Sequence, residues 1–359
     1  MISMDYNNLT YHEQNNIDNT LRLREVLKTL PKFAGEYFRA IEPTTSARTR
    51  ISYAYDIRVF FRFLIENNPV YRDYDMDQFK VSDLERIEPM DLEEYEEYLK
   101  VYKEEKEESR QIITNGEKGL ARKMSALRSF YRYFQRRQVI EKNPTLLVDM
   151  PKIHEKTIIR LDTDEIASLL DHVENRGQTL KGQALAYYEK TKVRDLAIIT
   201  LLLGTGIRVS EMVGLDLTDV DFKNDGITVT RKGGNQMVVY FGDEVEWALR
   251  DYLAERNAID AAPGSENALF LSSRKSRMGV QAVENMVKKY AREVTPNKKI
   301  TPHKLRSSYG TALYKETGDI YLVADVLGHK DVNTTKKHYA AIDDDRRRKA
   351  ANVVKLREP

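Results

Sequence analysis

Leu201–Phe222 reads LLLGTGIRVSEMVGLDLTDVDF, and the break in its apolar run decides how the rest of the chain is organised. A leucine-rich helix stops at Gly204-Thr205-Gly206, because glycine tolerates the left-handed backbone that ends helices. A new helix then opens with Arg208 and Glu211, three apart and so on one face. A guanidinium fixed just after a glycine turn can grip an oxyanion with two parallel N–H donors, which suits phosphate. The competing reading is an ordinary surface arginine paired with Glu211.

Three further stretches carry chemistry-bearing residues. In DGITVTRKGGNQMVVYF (225–241) alternating apolar residues flank Lys232-Gly233-Gly234-Asn235, which predicts a β-hairpin with Lys232 near its tip. A lysine there can deliver a proton to a leaving alkoxide if neighbouring cations lower its pKa, although turns also attract lysine for solubility. In ITPHKLRSSYGTALY (300–314) Thr301 fits an N-cap and Pro302 the first helical position. His303 and Arg306 then share the first two turns, so that an imidazole, a guanidinium and a helix N-terminus surround one point. In VADVLGHKDVNTTKKHYAAIDDDRRRK (323–349) a helix ends at Gly328, His329 follows, and Tyr339 lies in a new helix capped by Asn333 or Thr334. A phenol with a pKa near 10 is a poor nucleophile in water. Guanidinium groups and a general base around a phosphate change that.

The bulk composition sets the frame. A chain of 359 residues is long enough for two domains. The 58 basic and 56 acidic residues nearly cancel, so placement of charge, not its sum, must identify a nucleic-acid surface. No cysteine is present, which excludes disulfides, thiolate nucleophiles and cysteine-bound zinc and fits a reducing cytoplasm. No apolar run approaches a membrane span, and MISMDYNNLTYHEQ lacks the charge-then-apolar order of a secretory signal. Residues 1–30 read as a polar N-terminal extension ending in a short amphipathic appendage. Residues 31–150 read as an all-helical module: a helix over 33–41, a second capped at Thr44 or Ser46, an acidic helix after Pro89, a solvated turn or helix end over 104–108, and a helix over 119–137. The prolines of NPTLLVDMPKIHEKT mark a linker at 151–160. Beyond it come helices over 163–175, 190–203, 243–258, 280–293, 302–317 and 319–327, the hairpin over 226–241 and a helical C-terminal region.

The order and spacing of these boxes resemble the tyrosine recombinase, or phage integrase, family. GTGIRVSE is similar to its first-arginine box, HKLR to its His-x-x-Arg box, LGHKDVNTT to its second-histidine box, Tyr339 to its nucleophile, and Lys232 to its hairpin lysine. The resemblance implies a mainly α fold: a helical core-binding domain (31–150) and an α+β catalytic domain (161–359) with a small antiparallel sheet, closing on DNA as a C-shaped clamp. It also implies that Arg208 and Arg306 hold the non-bridging oxygens of the scissile phosphate and that Glu211 orients the basic cluster. Lys232 would serve as general acid on the departing 5′-oxygen, His303 as general base and His329 as phosphate hydrogen-bond support. Tyr339 would attack phosphorus to leave a 3′-phosphotyrosine. Two guanidiniums, a lysine and two imidazoles supply the stabilisation that metal ions give elsewhere, so neither metal nor other cofactor is required. The phosphotyrosyl ester conserves bond energy, which fits the absence of a nucleotide-binding GxxxxGK[ST] loop.

Partners implied by the resemblance are double-stranded DNA carrying a specific recombination site, three further copies in a tetramer on two sites, and accessory DNA-bending or directionality proteins. AAIDDDRRRKAANVVKL is then the segment exchanged between neighbours. The cation ladders of the second and last N-terminal helices, Arg48, Arg58 and Arg62, then Arg122, Lys123 and Arg128, are the candidate DNA contacts. Their alternative is a set of solvated faces held by salt bridges. Two features depart from the common pattern: Tyr339 lies ten positions after His329, one more than the usual Xer-like spacing, and Ser307 stands where relatives often carry a second histidine. A type IB topoisomerase uses a similar residue set, a silent DNA-binding regulator would not need all of it, and a metal-dependent nuclease would need positioned carboxylates. The length of the N-terminal segment leans toward a mobile element acting on simple sites.

Overall fold

The computed structural model describes residues 9–106, 109–154, 159–231, 234–329 and 332. Lys232, Tyr339 and the AAIDDDRRRKAANVVKL segment lie outside the described residues. The chain forms two compact units, Met1–Lys156 and Thr157–Pro359.

In the first unit, helices α1 (Tyr11–Leu27), α2 (Ala34–Ala40), α3 (Ala47–Asn67), α4 (Pro89–Lys100) and α5 (Glu117–Arg136) surround an aromatic core. Ser46 starts α3 by accepting a bond from the Thr49 N–H at 3.3 Å. Leu120, Met124, Leu127, Tyr131 and Phe134 recur every three or four residues along α5 and are all buried. Their aromatic partners meet edge to face, as Phe61 and Phe79 do with centroids 4.9 Å apart.

Two expectations are corrected here. The N-terminal stretch is no appendage, because Leu23 and Val26 of α1 and the following Leu30 are buried in the core and α1 packs along α3. Where it is described, the stretch after α4 is strand and not helix end: β1 (Val101–Lys106) pairs with β2 (Ser109–Thr114), from Val101↔Thr114 to Lys106↔Ser109, and residues 107–108 lie outside the described residues. Tyr102, buried and stacked on Tyr98, faces the unit opposite Ile113, while Val101 and Ile112 face water. That period of two belongs to a half-buried strand pair, and the run of glutamates conceals it.

The second unit is built on α7 (Gly182–Thr205), whose Ala197, Ile198, Ile199, Leu201 and Leu202 are fully buried against α6 (Thr163–Asn175), α9 (Asp243–Arg256) and α11 (Pro302–Thr317). α7 begins earlier than its apolar pattern predicts. The hydroxyl of buried Tyr188 donates to the Val173 carbonyl at 3.0 Å, which draws the first turns into the contact with α6. A short α8 (Val209–Met212) leads to an antiparallel sheet β3-β4-β5 (Val220–Asp221, Gly226–Thr230, Gln236–Tyr240). Ile227 and Val229 point into the core and pair with Val239 and Met237. α10 (Val280–Val294) and α12 (Ile320–Leu327) complete the unit. No helix among the described residues is long and apolar enough to cross a membrane.

Candidate active site

The site grows from three helix ends. α7 ends at Gly206, whose φ is +63° and whose N–H donates to the Leu202 carbonyl at 3.1 Å. Tyr309 of α11 and Leu327 of α12 press on its Cα so closely that a Cβ there would overlap the Tyr309 ring. The glycine therefore serves both a left-handed turn and a three-element junction.

Arg208 follows as the N-cap of α8. Its backbone N–H donates to Glu211 Oε2 at 2.8 Å and its Nη1 to Glu211 Oε1 at 2.6 Å, an arrangement in which a glutamate at the third helical position reaches back to the cap. Glu211 is buried, whereas the Arg208 side chain is 38% exposed. One end of the guanidinium is thus fixed from behind while part of it remains open to solvent.

α12 ends in a Schellman turn: Gly328, at φ +61°, donates to the Asp325 carbonyl and His329 N–H donates to the Ala324 carbonyl, both at 2.8 Å. The last carbonyls of a helix have no partner within it, and here three arginines take three successive carbonyls, the last two of α12 and that of Gly328 just beyond it. Arg231 Nη2 donates to Val326 O at 2.9 Å, Arg306 Nη2 to Leu327 O, and Arg208 Nη2 to Gly328 O at 3.3 Å. The negative end of the helix dipole favours cations by about 0.3–1 kcal/mol each, more when partly buried. Arg306, 4% exposed, also donates from Nη1 to Gly206 O at 2.5 Å, which joins the ends of α7 and α12.

The structure thus brings Arg208, Glu211 and Arg306 to one place, with His329 the next residue after the gripped turn. His303 is exposed in the first turn of α11, three residues before Arg306. Thr301 takes the N-cap position there, but its side chain makes no cap bond. Sequence reasoning overlooked Arg231. Burial pushes its guanidinium below the ordinary value, Glu211 opposes the shift and Arg208 adds to it, yet an arginine stays charged in a protein. Its signal was slight: a cation beside Lys232 at a strand end.

Of the candidate DNA contacts, Arg48 is exposed near the start of α3. Arg58 lies 3.6 Å from Glu104 and over the Tyr55 ring, and Arg62 lies 3.3 Å from Glu66. Arg122 and Lys123 both grip Asp56, Lys123 at 3.0 Å, and Lys123 is 6% exposed. Arg128 donates from Nε to Thr145 O at 3.0 Å and from Nη2 to Val148 O. Most of these pairs join different elements, and of the six only Arg62 meets a carboxylate of its own helix.

Arginines gathered at helix ends beside a small antiparallel sheet characterise this α+β domain, and comparison with known proteins gives its family. The phage integrase family model matches residues 159–346, and that of the phage integrase N-terminal SAM-like domain matches residues 36–138. Tyrosine recombinase XerC of Caldanaerobacter subterraneus subsp. tengcongensis is 35% identical over 322 residues, covering 88% of this chain and 84% of the relative. Tyrosine recombinase XerS of Streptococcus thermophilus is 30% identical over 361 residues, covering 92% and 98%. The fold is shared with the XerH site-specific recombinase bound to palindromic difH substrate in a post-cleavage complex, at a TM-score of 0.62 and 19% identity over 86% of this chain and 80% of that one. The chain belongs to the phage integrase family and is a tyrosine-type site-specific recombinase.

Proposed function

We propose that the chain cuts and rejoins duplex DNA at a specific site through Tyr339. The phenol oxygen attacks phosphorus and passes its proton to His303. The bond to the 5′-oxygen breaks as Lys232 protonates that oxygen, leaving a 3′-phosphotyrosine and a free 5′-hydroxyl. Arg208 and Arg306 hold the non-bridging oxygens, His329 donates to one of them, and Glu211 keeps Arg208 aimed. Charge that builds on the equatorial oxygens is met by groups fixed in advance, the arrangement that lowers barriers most. The reverse attack by a 5′-hydroxyl from a second site completes strand exchange without an external energy source.

The observation that carries this reading is the convergence of Arg208 and Arg306, distant in sequence, on consecutive carbonyls immediately before His329. XerH is bound to its difH substrate, which supports a duplex substrate for a chain of the same fold. The working assembly is then a tetramer on two sites, formed in the cytoplasm and joined by DNA-bending or directionality proteins. Arg48, Arg58, Arg62 and Arg122 are offered to the DNA backbone, while Lys123 and Arg128 fix α5 to its neighbours. The test is incubation with flanking genomic DNA carrying a nicked suicide site. A denaturation-resistant protein–DNA adduct is expected, and an adduct that persists in Tyr339→Phe would refute the assignment.

A further inference from the structure

Arg231 stands outside the residues given roles above, yet it is closely built into the end of α12. Its backbone is tied into the hairpin, the N–H donating to Asn235 O at 2.8 Å and the carbonyl accepting from Gly234 N–H at 3.0 Å. Its side chain crosses to the other element, where Nη2 donates to Val326 O at 2.9 Å. The guanidinium lies against Gly328 so closely that a Cβ on that glycine would overlap it. Its Nε is buried with no hydrogen-bond partner among the described residues, a penalty that a surface arginine would avoid by turning toward water.

A side chain that accepts this penalty, beside the like charge of Arg208, fits a structural demand at the point it touches. We propose that Arg231 is a positioning residue, fixing the Val326–Gly328 turn and through it the place of His329 at the scissile phosphate. The proposal rests on the reading of His329 as a phosphate ligand. An arginine suits the task because its fork can reach a carbonyl while its plane covers a glycine.

Residues that act through one another show non-additive effects, whereas independent ones add. The experiment is single-turnover cleavage of the nicked suicide site by the full chain, followed from seconds to days so that slow variants are read. Arg231→Met is expected to slow cleavage about tenfold or more, the scale of coupling between contacting residues, with DNA affinity changed by less than about twofold. In a His329→Ala background the same substitution is expected to change the rate by less than about twofold. Arg231→Lys, which keeps the charge and loses the fork, should fall between, and it carries the test if Arg231→Met does not fold. Cleavage by Arg231→Met at the unsubstituted rate, or an equal loss in both backgrounds, overturns the proposal. Adduct formation by Tyr339→Phe would overturn the reading of the site itself, whatever Arg231 does.

Discussion

At Gly206 a single hydrogen atom in place of a side chain lets three elements meet. An alanine there would hold an unfavourable left-handed conformation and drive its methyl into the Tyr309 ring. Gly206→Ala should therefore destabilise the second unit by about 2–4 kcal/mol, strain and overpacking together. Urea denaturation followed by far-ultraviolet dichroism measures this, and a loss below about 1 kcal/mol would mean that Tyr309 can move aside. Glu293 offers a second test. It accepts from Arg176 at 2.8 and 2.7 Å and from His172 at 2.9 Å, and Arg176 first, then His172, holds its carboxyl below the ordinary 4.5 despite partial burial. A carboxyl depressed by folding contributes stability above its unfolded value and loses it as pH falls through the folded one. Melting temperature should accordingly fall as pH drops from about 5 to about 3, and Glu293→Gln should flatten that slope. An unchanged slope would show that the ion pair contributes nothing to folding.

Among the elements, α1 and the β1–β2 pair are where sequence and structure part. α1 is mostly polar and contributes a narrow stripe, Leu23 and Val26 with Leu30 just beyond, too sparse to stand out as a core helix. Burying three such side chains stabilises by about 1.5–3 kcal/mol each. Removal of residues 1–30 should thus leave the first unit unable to fold cooperatively, where an appendage would be lost without effect on the melting curve. Asp56 provides the complementary test between α3 and α5. It is 2% exposed and answers both Arg122 and Lys123. Asp56→Asn leaves the Lys123 ammonium buried without its counter-charge, a loss of about 3–5 kcal/mol, measurable by chemical denaturation. Helices with an apolar stripe, such as α5 and α10, were legible because a period near 3.6 survives whatever their neighbours do. The β1–β2 pair was not, since each strand's pairing depends on partners in the other strand.

For the molecule as a whole, formal charge is a poor guide to what DNA would meet. Arg256 is 3% exposed and turns inward to the Ala268 and Glu266 carbonyls, and Arg194 is buried against Asp195. Cations so committed still count in a sum of 58 against 56. DNA affinity should fall with salt at a slope of about 0.9 per phosphate contacted. In fluorescence anisotropy titrations, charge reversal of Arg48 and Arg62 should lower that slope, while Lys123→Met should lower stability and leave the slope alone. Equal slopes for all three variants would remove these arginines from the interface. The site was legible to the same limited degree. Arg208, His303, Arg306 and His329 announce themselves by spacing, but Arg231 does not, because a backbone carbonyl as partner has no letter in the sequence.

Like charges gathered at one spot ordinarily push that spot apart. At the tail of α12 each guanidinium already leans on an oxygen of the protein itself. On the proposed reading Arg208 and Arg306 would meet the phosphate already aligned while Arg231 keeps its carbonyl, and a strand arriving at such a centre would demand little rearrangement of the protein or of surrounding solvent.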